Sequence, residues 1–321
     1  MQATRVFFDK FGSYDVLYTK DIEIGDVKDD EIILKVIASG INPVDTKIRS
    51  GTSFLCNVIK APMPWSLGTD VSGIVIKAGS RALFKEGDIV FGSVGKKVYP
   101  RSYSTHIKTR GKTLVKLPNI SKAQEAGALV TAGVTAYNIK ETIDKFVVSK
   151  NYKDNKDVKI LVSGALGGVG HILMQLLIND AFNVSSLCSL KDDAFLNTLK
   201  LYERLSYKDD NSKLKESFDV VVDNIGFDVG VALFDYVKDD GLLLTVPTMS
   251  FDYIKAQKPT NKNFATVLAH SDNDLLNKLG AMLYRDEIKV NITKKYNLKD
   301  IKNAHKQIES GHTHGKLIAI G

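Results

Sequence analysis

Cysteine is nearly absent. The 321 residues contain 2, Cys56 and Cys188, with no CxxC spacing and no ligand cluster around either. That excludes a disulfide framework and a cysteine-rich zinc site. Long apolar runs are also missing; none approaches the ~18 residues of a membrane span. The opening residues Met1 to Gly12 lack the apolar core of a signal peptide. The expectation is a cytoplasmic protein with no membrane partner. Acidic residues (37) fall short of basic ones (44), giving a net charge of +7. Lysine is spread along the whole chain and not gathered in one block, which reads as a solvated surface and argues against a nucleic-acid partner. No internal repeat or low-complexity segment is present. What remains is an ordinary globular composition, 44% hydrophobic and 25% charged, on a chain long enough for two domains.

Short strand signals dominate the first third. Glu31 to Ala38, Val71 to Ala78 and Asp88 to Phe91 read as strands, with Gly and Pro between them. The pattern predicts a compact, mostly β, barrel-like domain. Gly40 to Pro43 should break the first of these strands. Pro118 and Ser121 mark a change, and Ser121 reads as the N-cap of a helix with Glu125 in its first turn. Strands and helices then alternate. Val158 to Val162, Asn183 to Leu187, Leu205 to Tyr207, Phe218 to Asp223, Gly241 to Val246 and Phe264 to Ala269 are the strands, with a helix over Asp192 to Leu201. Such alternation predicts a parallel sheet covered on both faces. A helix from Leu298 to Glu309 and a strand from Lys316 to Ile320 end the chain, and this tail is expected to fold back onto the first domain.

The most informative stretch is Lys159 to Leu177. An apolar strand turns through Gly164, Gly167, Gly168 and Gly170 into a helix-spaced face, Ile172, Leu173, Leu176 and Leu177. Strand, glycine turn and helix form the start of a dinucleotide-binding Rossmann unit. Against G-x-G-x-x-G, Ala165 replaces the first glycine. Gly167 leaves room for a pyrophosphate, Gly170 permits close helix packing, and the helix N-terminus offers N–H groups to phosphate. A cofactor without a 2′-phosphate calls for a carboxylate about 20 residues on. Here Ser189 and Lys191 stand at that point. A hydroxyl and a cation suit a 2′-phosphate through charge-assisted hydrogen bonds, so NADP(H) is favoured over NAD. Tyr207, at the end of the third strand of the alternating region, is placed to close the adenosine pocket. The histidines are scattered, with no triad partner. His171 reads as an ordinary helical residue, and Asp45 as an acceptor for turn N–H groups.

With these residues in view, the chain resembles the medium-chain dehydrogenase/reductase superfamily, in its zinc-independent quinone oxidoreductase and enone reductase branch. The matching stretches are Ser39 to Gly51, Leu67 to Val75, Thr131 to Tyr137, Gly164 to His171 and Glu309 to Lys316. The resemblance implies an α/β fold, a Rossmann doubly wound parallel sheet domain plus a GroES-like, mostly β catalytic domain, with a cleft between them. Residues 1–120 would form the first part of the catalytic domain and 121–265 the NADP-binding domain. Residues 266–321 would complete the nucleotide-domain sheet and return to the catalytic domain. Zinc-dependent members carry a cysteine where this chain reads Gly40-Ile41-Asn42, and a His-Glu pair where it has Thr69-Asp70. Asn42 and Thr69 are not zinc ligands of the needed kind, so no metal is expected.

The resemblance also implies roles. Asn42 would lie by the nicotinamide ribose, and Lys47 would reach the nicotinamide and the substrate carbonyl; both are the catalytic candidates. Lys191 and Tyr207 fall where relatives bind the 2′-phosphate. Thr135, Gly167, Gly168, Val169, Pro247, Thr248 and Lys316 are the further cofactor positions. The expected reaction is hydride transfer from NADPH to a quinone or an α,β-unsaturated carbonyl, with Lys47 facing the oxygen that gains charge. A homodimer is implied by relatives. The alternative left open is an NADPH-binding protein with little turnover, redox-sensing, RNA-binding or crystallin-like.

Overall fold

The computed structural model describes residues 1–59, 62–95, 101–190 and 193–321. It divides into two units, residues 1–131 with 271–321 and residues 132–270.

In chain order, unit 1 opens with β1 (Gln2–Phe7) paired antiparallel to β2 (Tyr18–Glu23). It continues with β3 (Ile32–Ile41), α1 (Pro43–Ser50), β4 (Asp70–Ala78), β5 (Ile89–Ser93), β6 (His106–Thr109) and β7 (Leu114–Lys116). The long helix α2 (Ala123–Ser149) starts in unit 1 and ends in unit 2. Unit 2 holds β8 (Lys159–Ser163), α3 (Gly170–Asn179), β9 (Asn183–Cys188), β10 (Glu203–Ser206), β11 (Phe218–Asp223), α4 (Phe227–Ala232), β12 (Val237–Thr245), α5 (Phe251–Lys255) and β13 (Asn263–Thr266). The chain returns to unit 1 with α6 (Asn273–Tyr284), β14 (Ile292–Asn297), α7 (Ile301–Glu309) and β15 (Lys316–Ile320).

The larger sheet of unit 1 runs β14-β15-β3-β4-β5-β7, with β6 paired to β3. β3 is buried along nearly its whole length, Lys35 excepted, because strands flank it on both sides. It does not stop at Ala38 as its sequence suggests. The tail strand β15 pairs with Ser39, Gly40 and Ile41, which carries the extended backbone on to Asn42. The apolar faces meet in two clusters, one around Phe8, Trp65, Leu67 and Leu317, the other around Leu34, Val71, Val90 and Ile107.

Unit 2 is a six-stranded sheet in the order β10-β9-β8-β11-β12-β13. Every ladder in it is parallel. β11, Phe-Asp-Val-Val-Val-Asp, is buried at all 6 positions, as a strand covered on both faces must be. Between β9 and β10 the described residues form only a 3-10 turn at Leu196–Thr198 instead of the expected helix. The Asp193 carboxylate accepts the N–H groups of Phe195 and Leu196, and the Thr198 hydroxyl bonds back to the Phe195 carbonyl. These local side-chain bonds compete with a longer helix. Among the described residues no helix is long and apolar enough to cross a membrane.

Candidate active site

The carboxyl ends of the unit 2 strands carry one group of candidate residues. After β8 the chain turns at Gly164, whose φ of +65° is left-handed and favours glycine. The tight turn that a first fingerprint glycine would make is thus made one residue earlier, and Ala165 is free to be buried. A Cβ on Gly170 would stand 2.4 Å from the Gly164 carbonyl oxygen and 2.8 Å from that of Ala165. Only glycine lets α3 begin so close above the strand. A Cβ on Gly167 would meet the Gly164 oxygen at 3.1 Å. The N–H groups of Gly168, Val169 and Gly170 have no acceptor among the described residues. Three free donors at the start of a ten-residue helix make a site for an anion such as a pyrophosphate. The strand order reverses between β8 and β11, the crevice position where open parallel sheets take ligands. There Asn224 donates through Nδ2 to the Ser163 carbonyl at 2.8 Å.

Tyr207 follows β10 and brings its hydroxyl onto the same turn. It accepts the Gly164 N–H at 2.8 Å and lies 2.8 Å from Ser163 Oγ. Burial of the hydroxyl pushes its pKa above the ordinary tyrosine value. Ser189 is exposed just past β9; Lys191 lies outside the described residues. Pro247 and Thr248 follow β12, half-buried and exposed. Gly167, Gly168, Val169, Ser189, Tyr207, Pro247 and Thr248 therefore share one edge of one sheet. Thr135 lies elsewhere in unit 2, buried on α2.

A separate group of candidate residues lies within unit 1, at the start of α1. Asn42, held extended (φ −129°, ψ 152°) ahead of Pro43, is the N-cap residue. Asp45, fully buried, accepts the Asn42 N–H at 2.9 Å, the Gly68 N–H at 3.2 Å and the Tyr103 hydroxyl at 2.9 Å. Asp70, also buried, accepts the Asn42 amide at 2.9 Å, the Thr131 N–H at 3.0 Å and the Thr131 hydroxyl at 2.6 Å. Lys47 is half-buried on this helix, and its ammonium has no hydrogen-bond or ion-pair partner among the described residues. Desolvation lowers its pKa from the ordinary 10.5. A part-desolvated cation without a counter-ion is poised to meet a developing negative charge.

Two of the expected cofactor residues, Asn42 and Lys316, are buried and bonded to each other. Asn42 is only 2% exposed, and both ends of its amide are taken, Nδ2 by Asp70 and Oδ1 by the Lys316 ammonium at 2.5 Å. Lys316, expected at the cofactor, is 4% exposed, and Nζ also donates to the Ile41 carbonyl at 3.1 Å. Burial lowers its pKa. These two side chains lock the end of β3 and the cap of α1 to the tail strand. Asp70, Tyr103 and Thr131 escaped sequence reasoning because their partners are remote in the chain. Among the described residues no group of three His, Cys, Asp or Glu side chains is placed to hold a metal ion.

Comparison with known proteins matches this geometry to a family. Residues 28–134 match the alcohol dehydrogenase GroES-like domain, and residues 200–318 match the zinc-binding dehydrogenase family. The chain is 28% identical to 2-methylene-furan-3-one reductase of Solanum lycopersicum, over 97% of this chain and 77% of that one. Its fold is similar to the quinone oxidoreductase of Coxiella burnetii, with a TM-score of 0.87 and 28% identity, each chain covered over 100%. It is also similar to the Escherichia coli quinone oxidoreductase complexed with NADPH, at TM-score 0.80 and 25% identity, covering 99% of this chain and 100% of that one. On these matches and this architecture, the chain belongs to the medium-chain dehydrogenase/reductase superfamily, in its quinone oxidoreductase branch.

Proposed function

We propose that the protein is an NADPH-dependent, zinc-independent oxidoreductase that passes a hydride to a quinone or an α,β-unsaturated carbonyl. The observation that carries this reading is the set of free N–H groups on Gly168, Val169 and Gly170 beside the reversal of strand order. They and the α3 dipole hold a pyrophosphate, while Ser189 and Lys191 take the 2′-phosphate and Tyr207 closes the adenosine side. When bound, the reduced nicotinamide supplies the hydride. Lys47 faces the acceptor oxygen, and its ammonium offsets the charge that gathers there. The relatives' names support the acceptor class: one reduces an exocyclic enone, others are quinone oxidoreductases.

A homodimer and a cytoplasmic location complete the proposal. β13 forms an edge of the unit 2 sheet with exposed residues at both its ends, the kind of edge on which a second copy can pair. Both cysteines are free, as in a reducing compartment. Light scattering that reports a monomer removes the dimer.

The test is NADPH oxidation with 9,10-phenanthrenequinone and with a short enone. Tight NADPH binding without oxidation of either favours the low-turnover alternative. Lys47→Ala should cut turnover on enones about 10²-fold, the usual loss for one donor to a developing oxyanion, and leave NADPH affinity within about threefold. Unchanged turnover removes the assigned role. In the parent enzyme the alkaline limb of kcat/KM should fall below the ordinary lysine 10.5, since the ammonium is the active form and desolvation lowers its pKa.

A further inference from the structure

We propose that His171 is a positioning residue that holds the phosphate-binding turn in its working orientation; the inference rests on the dinucleotide reading above and assigns a holder for its pyrophosphate. The Gly167 carbonyl accepts two donors from one residue, the His171 backbone N–H at 3.1 Å and its ring Nδ1 at 2.9 Å. Both lone pairs of the oxygen are then engaged. A carbonyl only accepts, so Nδ1 carries the proton.

The geometric consequence falls on the next donor. The Gly167–Gly168 peptide is planar and trans, so its N–H points opposite to its C=O. With the C=O drawn back towards the helix, the Gly168 N–H is aimed away from it, off the N-terminus of α3, where an anion docks. Glycine on both sides leaves this peptide plane almost unrestrained by local sterics. A first-turn backbone bond alone is a weak holder, because helix ends fray. The ring supplies the second restraint, and it is itself fixed. His171 is 0% exposed and meets the Phe195 ring edge-on at 5.5 Å. Its carbonyl accepts Gln175 Nε2 at 2.8 Å. Phe195 belongs to the segment after β9, so the same contact ties the glycine turn to the chain that follows Ser189. His171 is therefore not the ordinary helical residue its sequence position suggests.

Two ligands separate positioning from general support. ADP-ribose 2′-phosphate contains the pyrophosphate; adenosine 2′-monophosphate does not. Calorimetric titration of the full chain with His171→Leu should show about tenfold weaker binding of the first, with the second within about twofold. His171→Asn, whose amide nitrogen can stand in for Nδ1–H, should recover most of the loss. In turnover assays His171→Leu should raise KM for NADPH and leave kcat at saturation unchanged. Equal weakening of both ligands, or of neither, overturns the proposal. Where His171→Leu does not fold, nitrogen-15 NMR of the histidine rings in the unmodified protein decides. A proton on Nδ1 of His171 is expected, and a neutral ring protonated on Nε2 alone overturns the proposal. Should the unmodified chain bind neither ligand, the dinucleotide reading fails, while the tautomer still tests the brace.

Discussion

Asp45 and His305 are two buried titratable groups with opposite effects on stability. Asp45 has 0% exposure, and burial is the main reason its carboxyl is pushed up to about 7. The N–H groups of Asn42 and Gly68 and the hydroxyl of Tyr103 pull the other way. An unfolded aspartate titrates near ~3.9. Between about 4 and 7 the folded chain therefore holds one proton more at this site than the unfolded chain. Its contribution to stability falls as pH rises through that window. His305 is also fully buried, edge-on to Tyr103 at 5.9 Å and beside the Arg49 guanidinium. Burial first, and Arg49 second, bring its pKa down to about 3. Between about 3 and 6.5 the unfolded chain holds the extra proton, so this contribution rises with pH. Over their shared range the two nearly cancel. Asp45→Asn uncovers the histidine. Tyr103 can rotate its hydroxyl to accept from the new amide, which leaves the Asn42 N–H without an acceptor, at a cost of about 1–3 kcal/mol. Urea titrations between pH 5 and 7 should show the parent's advantage over this variant shrinking by about 1.4 kcal/mol per pH unit. A pH-independent difference would mean that Asp45 stays charged throughout.

Among the elements, the meeting of α2 with β3 and β4 is set by glycine on both sides. A Cβ on Gly127 would stand 2.7 Å from Ser72 Oγ and 2.8 Å from the Ala38 carbonyl oxygen. A Cβ on Gly40 would stand 2.8 Å from the Gly127 carbonyl oxygen. Two effects compete in Gly127→Ala. Helix propensity gains up to ~1 kcal/mol, but overpacking against backbone costs about 1–3 kcal/mol. The clash falls partly on a strand carbonyl that cannot rotate away, so a net loss of about 1–2 kcal/mol is expected in thermal or urea unfolding. A stabilised variant would show that the helix shifts freely. Sequence patterns convey this level unevenly. The parallel sheet is legible because each strand is a short apolar run, and β15 keeps its expected bounds. The glycine turn is legible because its steric demands are local. The extension of β3 is not, since the strand that prolongs it lies at the other end of the chain. The same distance hides the bond from Lys316 to Asn42, and with it the structural use of two residues that the family pattern carries to the cofactor. Asp45 is an intermediate case: its turn role is legible from the Asn-Pro-x-Asp spacing, its burial and its bond to Tyr103 are not.

For the whole molecule, charge is the property that reaches the ligand before contact. The net charge of +7 attracts any polyanion, and NADPH carries roughly two more negative charges than NADH through its 2′-phosphate. The diffuse part of that attraction acts over a Debye length, ~10 Å at 0.1 M salt and shorter above it. Raising ionic strength should therefore slow association of both cofactors and raise both KM values, with kcat unaffected because the charge acts before chemistry. The two cofactors should nevertheless diverge. A cation close to the 2′-phosphate, the role given to Lys191, adds a term that NADH cannot use. The KM of NADPH should accordingly climb more steeply with salt, by a few fold more between about 0.02 and 0.3 M, and the preference for NADPH should narrow. Parallel curves for the two cofactors would leave the scattered surface lysines as the whole of the electrostatic effect. The preference would then have to come from the hydroxyls of Ser189 and Tyr207, where substitution of each by a residue lacking the hydroxyl would find it.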